Sequence, residues 1–159
     1  MSLEAFQAAL LPLRHFIQTL DPNDPTTSQE KLAKRYPLNS DEIQNIAKQF
    51  VLGCDEGWLC HKEAGGIHFS RVYKNQNENE CAIDAVKMSG KGPGHTHPNG
   101  EFDLCLPTSG EPKFDGQKSA WVVYPPNSWH EPTVSSGSMN ILYFLPNGAI
   151  RFERESTAL

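Results

Sequence analysis

Apolar residues between Leu3 and Leu20 fall at Leu3, Phe6, Leu10, Leu13, Ile17 and Leu20, in alternating steps of three and four. That spacing predicts one face of an α-helix, with Ser2 placed to cap its start. Pro12 lies inside the pattern and lacks a backbone donor, which predicts a kink or a split at that point. The segment DPNDP ends the run. Thr27 and Glu30 stand at capping-box spacing ahead of a short second helix, which must stop near Tyr36 because Pro37 disfavours helical geometry in the residue before it. Ser40 opens a third amphipathic stretch carried by Ile43, Ile46, Ala47, Phe50 and Val51, with Gly53 expected as its C-terminal cap.

After Gly53 the pattern changes to short β-branched and aromatic runs separated by Gly, Pro, Asn and Ser, the mark of antiparallel β-structure. Strands are predicted near residues 58–62, 66–74, 81–89, 101–106, 119–124, 139–145 and 149–154. About seven short strands suit a small barrel or sandwich. The expected architecture is therefore mainly β, with an N-terminal helical extension over 1–53 and a β-barrel over 54–159. A chain of 159 residues accommodates this as one ordinary domain. Turn residues agree, since the chain has 12 glycines and 12 prolines and two-thirds of each lie beyond residue 80.

Charge narrows the partners. The formal net charge is -5 and no lysine or arginine run is present, which argues against a nucleic-acid or anionic-membrane surface and for a small ligand. No stretch approaches the ~20 apolar residues of a membrane span. The N-terminus lacks a basic region and a small-residue cleavage site, and the four cysteines form no CxxC pair, so a reduced, cytoplasmic protein is expected.

The segment GPGHTHPNGEFDLCLP at 92–107 carries the chemistry. On an extended strand His95 and His97 point to one side and Thr96 to the other. Glu101 follows a Pro-Asn-Gly turn that can bring its carboxylate back, and YPPNSWH supplies His130 from a later strand. An HxH pair alone is common on a polar strand edge. Three imidazoles with a carboxylate form a ligand set for a divalent metal such as Zn, Fe, Mn, Ni or Cu, with coordination positions left for substrate or water. Asp103 and Cys105 share parity with Glu101, which makes Asp103 a candidate proton shuttle beside Glu101. In GGIHFSRVYK, alternation puts Phe69, Arg71 and Tyr73 on one side, where the Arg71 guanidinium could pair with a carboxylate and the rings could flank an aromatic acid. Trp129 is a further candidate for the pocket wall, as are Trp121 and Tyr124. His15, His61 and His68 read as structural or surface residues. No GxGxxG or other dinucleotide signature occurs, so no nucleotide cofactor is expected.

These motifs resemble the cupin superfamily, whose first motif has the form G-x5-H-x-H-x3,4-E-x6-G and whose second has the form G-x5-P-x-G-x2-H-x3-N. His95, His97 and Glu101 stand at the first-motif ligands, and Pro125 through His130 matches the core of the second. Gly90 is offset by one, Gly110 falls two late, Val134 replaces the asparagine, and Asn127 replaces a glycine, a mild change because asparagine tolerates positive φ. Through GGIHFSRVYK, GHTHPNGEFDLCLP and YPPNSWHEPTV the chain further resembles the 4-hydroxylaminobenzoate lyase family, small cupins of nitroarene breakdown. The resemblance implies conversion of 4-hydroxylaminobenzoate to 3,4-dihydroxybenzoate (protocatechuate) with release of ammonia, a redox-neutral reaction aided by a metal on His95, His97, Glu101 and His130. The same ligands would also serve a metal-dependent cupin dioxygenase of small aromatic acids, or a non-catalytic cupin that binds a small ligand. A homodimer is expected, since cupins often pair and the first helix carries a clean apolar stripe.

Overall fold

The structure is a computed structural model that describes residues 2–75 and 80–152. Three helices come first: α1 (Leu3–Ile17), α2 (Pro25–Arg35) and α3 (Asp41–Glu56). Ser2 and Ser40 cap α1 and α3 as expected, their hydroxyl oxygens accepting from Ala5 N and Ile43 N. One local expectation is narrowed and two are corrected. Helix α1 is not split at Pro12 but continues through it from Leu3 to Ile17. Ala8 and Pro12 both lie on its exposed face, so the carbonyl that the proline leaves without a donor is open to water. Helix α2 is capped by Asp24 and not by Thr27, because Asp24 is followed by a proline at the first helical position, the one interior site where a missing N–H costs nothing. Helix α3 continues past Gly53 to Glu56 and ends on Gly57, whose φ of 85° is the left-handed cap geometry. Gly53 is small for another reason: a Cβ there would lie 2.7 Å from the Trp58 ring.

Nine strands follow among the described residues: β1 (Lys62–Ala64), β2 (Ile67–Tyr73), β3 (Cys81–Lys91), β4 (His95–His97), β5 (Glu101–Phe114), β6 (Trp121–Tyr124), β7 (Ser128–His130), β8 (Thr133–Pro146) and β9 (Arg151–Phe152). They form two antiparallel sheets, one of six strands in the order β1-β2-β3-β8-β5-β6 and one of three in the order β7-β4-β9. The chain is mainly β with N-terminal helices. The strand expected over 58–62 begins only at Lys62, because Leu59 and Cys60 are buried from a turn and imitate a strand's apolar signal. β4 and β7 escaped the strand list, being three residues long and framed by turn formers. Positions 153 and 154 of the last expected strand lie outside the described residues.

Alternation along the large sheet separates two apolar clusters. One face turns Ile83, Leu104, Leu142 and Phe144 toward Phe6, Leu10, Ile43 and Phe50 of the helices. The other turns Cys105, Val122, Ile141 and Tyr143 into the space between the sheets. Buried polar bonds fasten the helices to the sheet: Trp121 Nε1 donates to Tyr36 O at 2.9 Å and Arg14 Nε to Cys81 O at 3.0 Å. No helix among the described residues is long and apolar enough to cross a membrane.

The two glycines of α3 should separate on substitution. Alanine at Gly53 gains helix propensity but forces a methyl into Trp58, for an expected net loss of about 1–3 kcal/mol. Alanine at Gly57 meets nothing within 4 Å, so it should lose only the left-handed backbone cost of about 1–2 kcal/mol. Urea unfolding of both variants measures this, and crowding at position 53 is wrong if Gly53→Ala stabilises the protein.

Candidate metal centre and adjoining cavity

Backbone pairing builds the centre. On β4, His95 and His97 face inward, and β7 pairs with β4 so that His130 lies directly opposite His95. Glu101 opens β5 in the other sheet and is returned by the turn over 98–100, where Gly100 N donates to His97 O at 3.2 Å. Gly100 needs its φ of 88°, and a Cβ there would stand 2.9 Å from Tyr124 O. The same His97 carbonyl accepts from Asn127 N at 2.6 Å, and Asn127 has a φ of 63°. Asparagine thus holds the positive-φ position where the motif has glycine. One carbonyl thereby ties both ligand-bearing turns together.

The side chains converge. His97 Nε2 lies 3.0 Å from Glu101 Oε2, and the Nε2 atoms of His95 and His130 each lie 3.4 Å from a Glu101 oxygen. One ligand atom from each of the four residues falls within 4.8 Å of all the others, and all four residues are buried. Each outer nitrogen faces an acceptor: His95 Nδ1 meets Pro93 O at 3.2 Å, His97 Nδ1 meets Ser128 Oγ at 3.0 Å, and His130 Nδ1 meets Asp115 Oδ2 at 2.6 Å. Ser128 Oγ donates its own proton to Pro125 O, so it accepts from His97. With Nδ1 as the donor in all three rings, every Nε2 lone pair aims at Glu101. His97 Nε2 and both Glu101 oxygens are buried without a hydrogen-bond partner, and the Nε2 atoms of His95 and His130 stand 3.1 Å apart. Converging lone pairs beside a carboxylate call for a cation, so the four residues fit a divalent metal ion.

Charge in the metal-free chain follows the same geometry. Burial pushes Glu101 up, but the His130, His95 and His97 imidazoles turned toward it outweigh that and hold the carboxyl well below its usual range. For His130, burial works against the proton, yet bonds to Asp115 and Glu101 raise the imidazole to about 9. Asp103 lies on the same face, fully enclosed. Burial, and after it the Glu101 charge, keeps it protonated well above the usual range. A neutral Asp103 can donate to Glu101, which resolves two carboxylates whose oxygens otherwise lack donors.

Beside the centre opens a cavity of about 380 Å3. Its wall is mostly apolar, with Ile67, Phe69, Val86, Met88, Tyr143 and Phe152, and His95 brings the ligand cluster to its edge. Phe69 and Arg71 line it as parity predicts. Arg71 is already held bidentately, with Nε 2.6 Å and Nη2 3.0 Å from the Asp84 carboxylate. Two expected residues are absent from the wall. A register shift between Arg71 and Tyr73 reverses the alternation, so Tyr73 packs toward the helices under the Arg14 guanidinium. Trp129 sits one residue before His130 on β7, faces away from it and is 52% exposed. Asp103, fully buried, does not border the cavity. Of the other aromatic candidates, Trp121 belongs to the helix-facing core, whereas the Tyr124 ring lies 4.2 Å from that of His130. Sequence reasoning missed Tyr143, Asp84 and Asp115. Tyr143 and Asp84 could have been found by extending the alternation to β8 and β3, but Asp115 sits in a turn with no periodic signal.

The family model described as PnbB, 4-hydroxylaminobenzoate lyase, matches residues 12–152. The chain belongs to the 4-hydroxylaminobenzoate lyase family. A 4-hydroxylaminobenzoate lyase of Pseudomonas putida is 27% identical over 143 residues, covering 77% of this chain and 80% of that protein. A 4-hydroxylaminobenzoate lyase of Nocardioides sp. (strain LMS-CY) is 28% identical over 129 residues, covering 74% and 76%. Among solved structures, salicylate 1,2-dioxygenase from Pseudoaminobacter salicylatoxidans is similar with a TM-score of 0.44 and 14% identity, over 72% of this chain and 36% of that one. For this member of the lyase family, the centre makes a pH prediction. His130 must lose its proton before Nε2 can accept a metal, and that proton is held up to about 9. Metal affinity should therefore rise with pH, roughly tenfold per unit between pH 7 and 8 for one displaced proton. Zinc titration against a competing chelator at both values checks this, and an unchanged affinity contradicts it.

Proposed function

We propose that the protein converts 4-hydroxylaminobenzoate and water to 3,4-dihydroxybenzoate and ammonia, in the cavity beside His95. The observation that carries this reading is the juxtaposition, in a chain of this family, of a buried three-histidine, one-glutamate cluster with an apolar cavity that holds one guanidinium. The atoms balance: the N–O, the C–N, one ring C–H and one water O–H bond break, two C–O and two N–H bonds form, and the nitrogen takes the two electrons that the ring gives up. No external oxidant or nucleotide is needed. A divalent ion held by His95, His97, Glu101 and His130 would supply Lewis acidity toward an oxygen of the substrate or water.

The chain's own residues do the rest. Phe69 and Tyr143 lie in the cavity wall and offer apolar faces to an aromatic ring. Asp84 occupies the Nε–Nη2 edge of Arg71, which leaves the Nη1 donors for the substrate carboxylate. A charged partner is needed here because the chain's net charge of -5 repels an anionic benzoate. Glu101 stays ionised beside the histidines and supplies the negative charge of the centre. Asp103, fully buried, acts through Glu101 by holding a proton that the leaving nitrogen requires.

Incubation of the metal-loaded protein with 4-hydroxylaminobenzoate should release ammonia and 3,4-dihydroxybenzoate in equal amounts with no uptake at an oxygen electrode. Oxygen consumption would transfer the assignment to a dioxygenase, and binding without turnover to a ligand-binding cupin. Arg71→Met should raise KM for the carboxylated substrate by about tenfold or more, since a hydrogen bond to a charged group contributes about 1.5–3 kcal/mol. KM for uncharged phenylhydroxylamine should hardly move, and equal effects on both would remove Arg71 from substrate binding. Asp103→Asn should lower kcat by about a hundredfold with little change in KM. Normal turnover would take Asp103 out of the mechanism.

A further inference from the structure

The three acceptors that hold the outer histidine nitrogens are chemically unlike. His95 and His97 donate to neutral oxygens, a carbonyl and a hydroxyl, whereas His130 donates to the Asp115 carboxylate at 2.6 Å. That carboxylate is itself immobilised. Its Oδ1 accepts from Thr133 N at 2.8 Å and its Oδ2 also accepts from the Tyr124 hydroxyl. Its backbone N–H donates to Thr133 O at 2.8 Å, so Asp115 and Thr133 are joined in both directions. The Tyr124 ring lies against His130 at 4.2 Å with a 39° tilt, which limits rotation of the imidazole. Asp115 belongs to none of the cupin motifs, stands directly after β5 and contacts the cluster only through His130.

We propose that Asp115 is a positioning residue of the metal centre: it fixes His130 with Nε2 toward Glu101 and strengthens that nitrogen as a donor to a divalent cation, while Tyr124 holds the carboxylate in place. The inference rests on the reading that the four clustered residues bind a metal. Its physical basis is that a carboxylate accepting from one imidazole nitrogen raises the electron density at the other, and that removing such a partner typically weakens metal affinity by about 10–100-fold. Neutral acceptors orient a ring but add less charge. Of the three histidines, His130 is therefore the one whose partner tunes the site as well as aiming it.

The test is zinc titration of the chelator-stripped protein against a chromophoric competitor, for wild type, Asp115→Asn, Asp115→Ala and Tyr124→Phe, with thermal unfolding of each metal-free form. Asparagine keeps the size and the acceptor oxygen but not the charge. Affinity should fall about tenfold in Asp115→Asn, up to about a hundredfold in Asp115→Ala and least in Tyr124→Phe. The metal-free unfolding temperature of Asp115→Asn should stay near wild type, and its cobalt(II) absorption spectrum should shift. Should Asp115→Ala fail to fold, the asparagine and phenylalanine variants decide. Wild-type zinc affinity in Asp115→Asn, with the spectrum unchanged, overturns the role of Asp115 and leaves the metal reading intact. A wild-type chain that takes up neither zinc, manganese nor nickel overturns the metal reading and this inference with it.

Discussion

A carboxylate with no solvent contact is tolerable only where its charge is compensated, and Glu101, with three imidazole nitrogens within 3.4 Å, meets that condition through a proton on His130 or a cation held among them. Much of the β-structure serves this arrangement. Two short strands place the histidines in one sheet, β5 places the glutamate in the other, and the His97 carbonyl joins the turns that lead to both. Acceptors behind the rings then settle which nitrogen of each histidine faces inward. Release any one of these constraints and a buried lone pair or charge is left uncompensated, which is why the cluster is a constraint on the fold as well as a site within it.

The cavity beside the cluster divides its work by chemistry. The wall is mostly apolar, His95 brings the ligand cluster to one edge, and under the proposed function Arg71 would offer a cation where the overall charge is unfavourable. The bidentate hold of Asp84 keeps that cation oriented, so Arg71 is preset and not free to search. On the helical side, the bonds from Arg14 and Trp121 and the packing of Phe6 and Phe50 cover the outer face of the large sheet. The helices support the sheet from behind and contribute no group to the cluster or the cavity.

Where local reading went astray, a tertiary constraint had overridden a local rule. Pro12 sits inside α1 without breaking it because its position on the helix is exposed. Gly53 looked like a cap, but it is a packing glycine under Trp58, and the cap lies four residues on. Tyr73 was assigned by alternation to the pocket, and one register shift turned it to the opposite face. Trp129 failed for the complementary reason: as the neighbour of an inward His130 it had to face outward, and the alternation that condemned it was already legible.

What the sequence determined by itself is what depends on spacing along the chain: the helix stripes, the switch to strands, the pairing of His95 with His97, and the parity that sets Glu101, Asp103 and Cys105 against Phe102, Leu104 and Leu106. These follow from the fixed periods of helix and strand, and the segment YPPNSWH offered His130 as the third imidazole. Tertiary structure decided everything that depends on distance between segments. Whether His130 met His95, whether Arg71 was free or paired with Asp84, and whether a carboxylate stood behind an imidazole were set by sheet register and turn geometry. Asp115 shows the limit most clearly. Its role comes from lying 2.6 Å from His130 across a fold in the chain, and no period in the sequence encodes that contact.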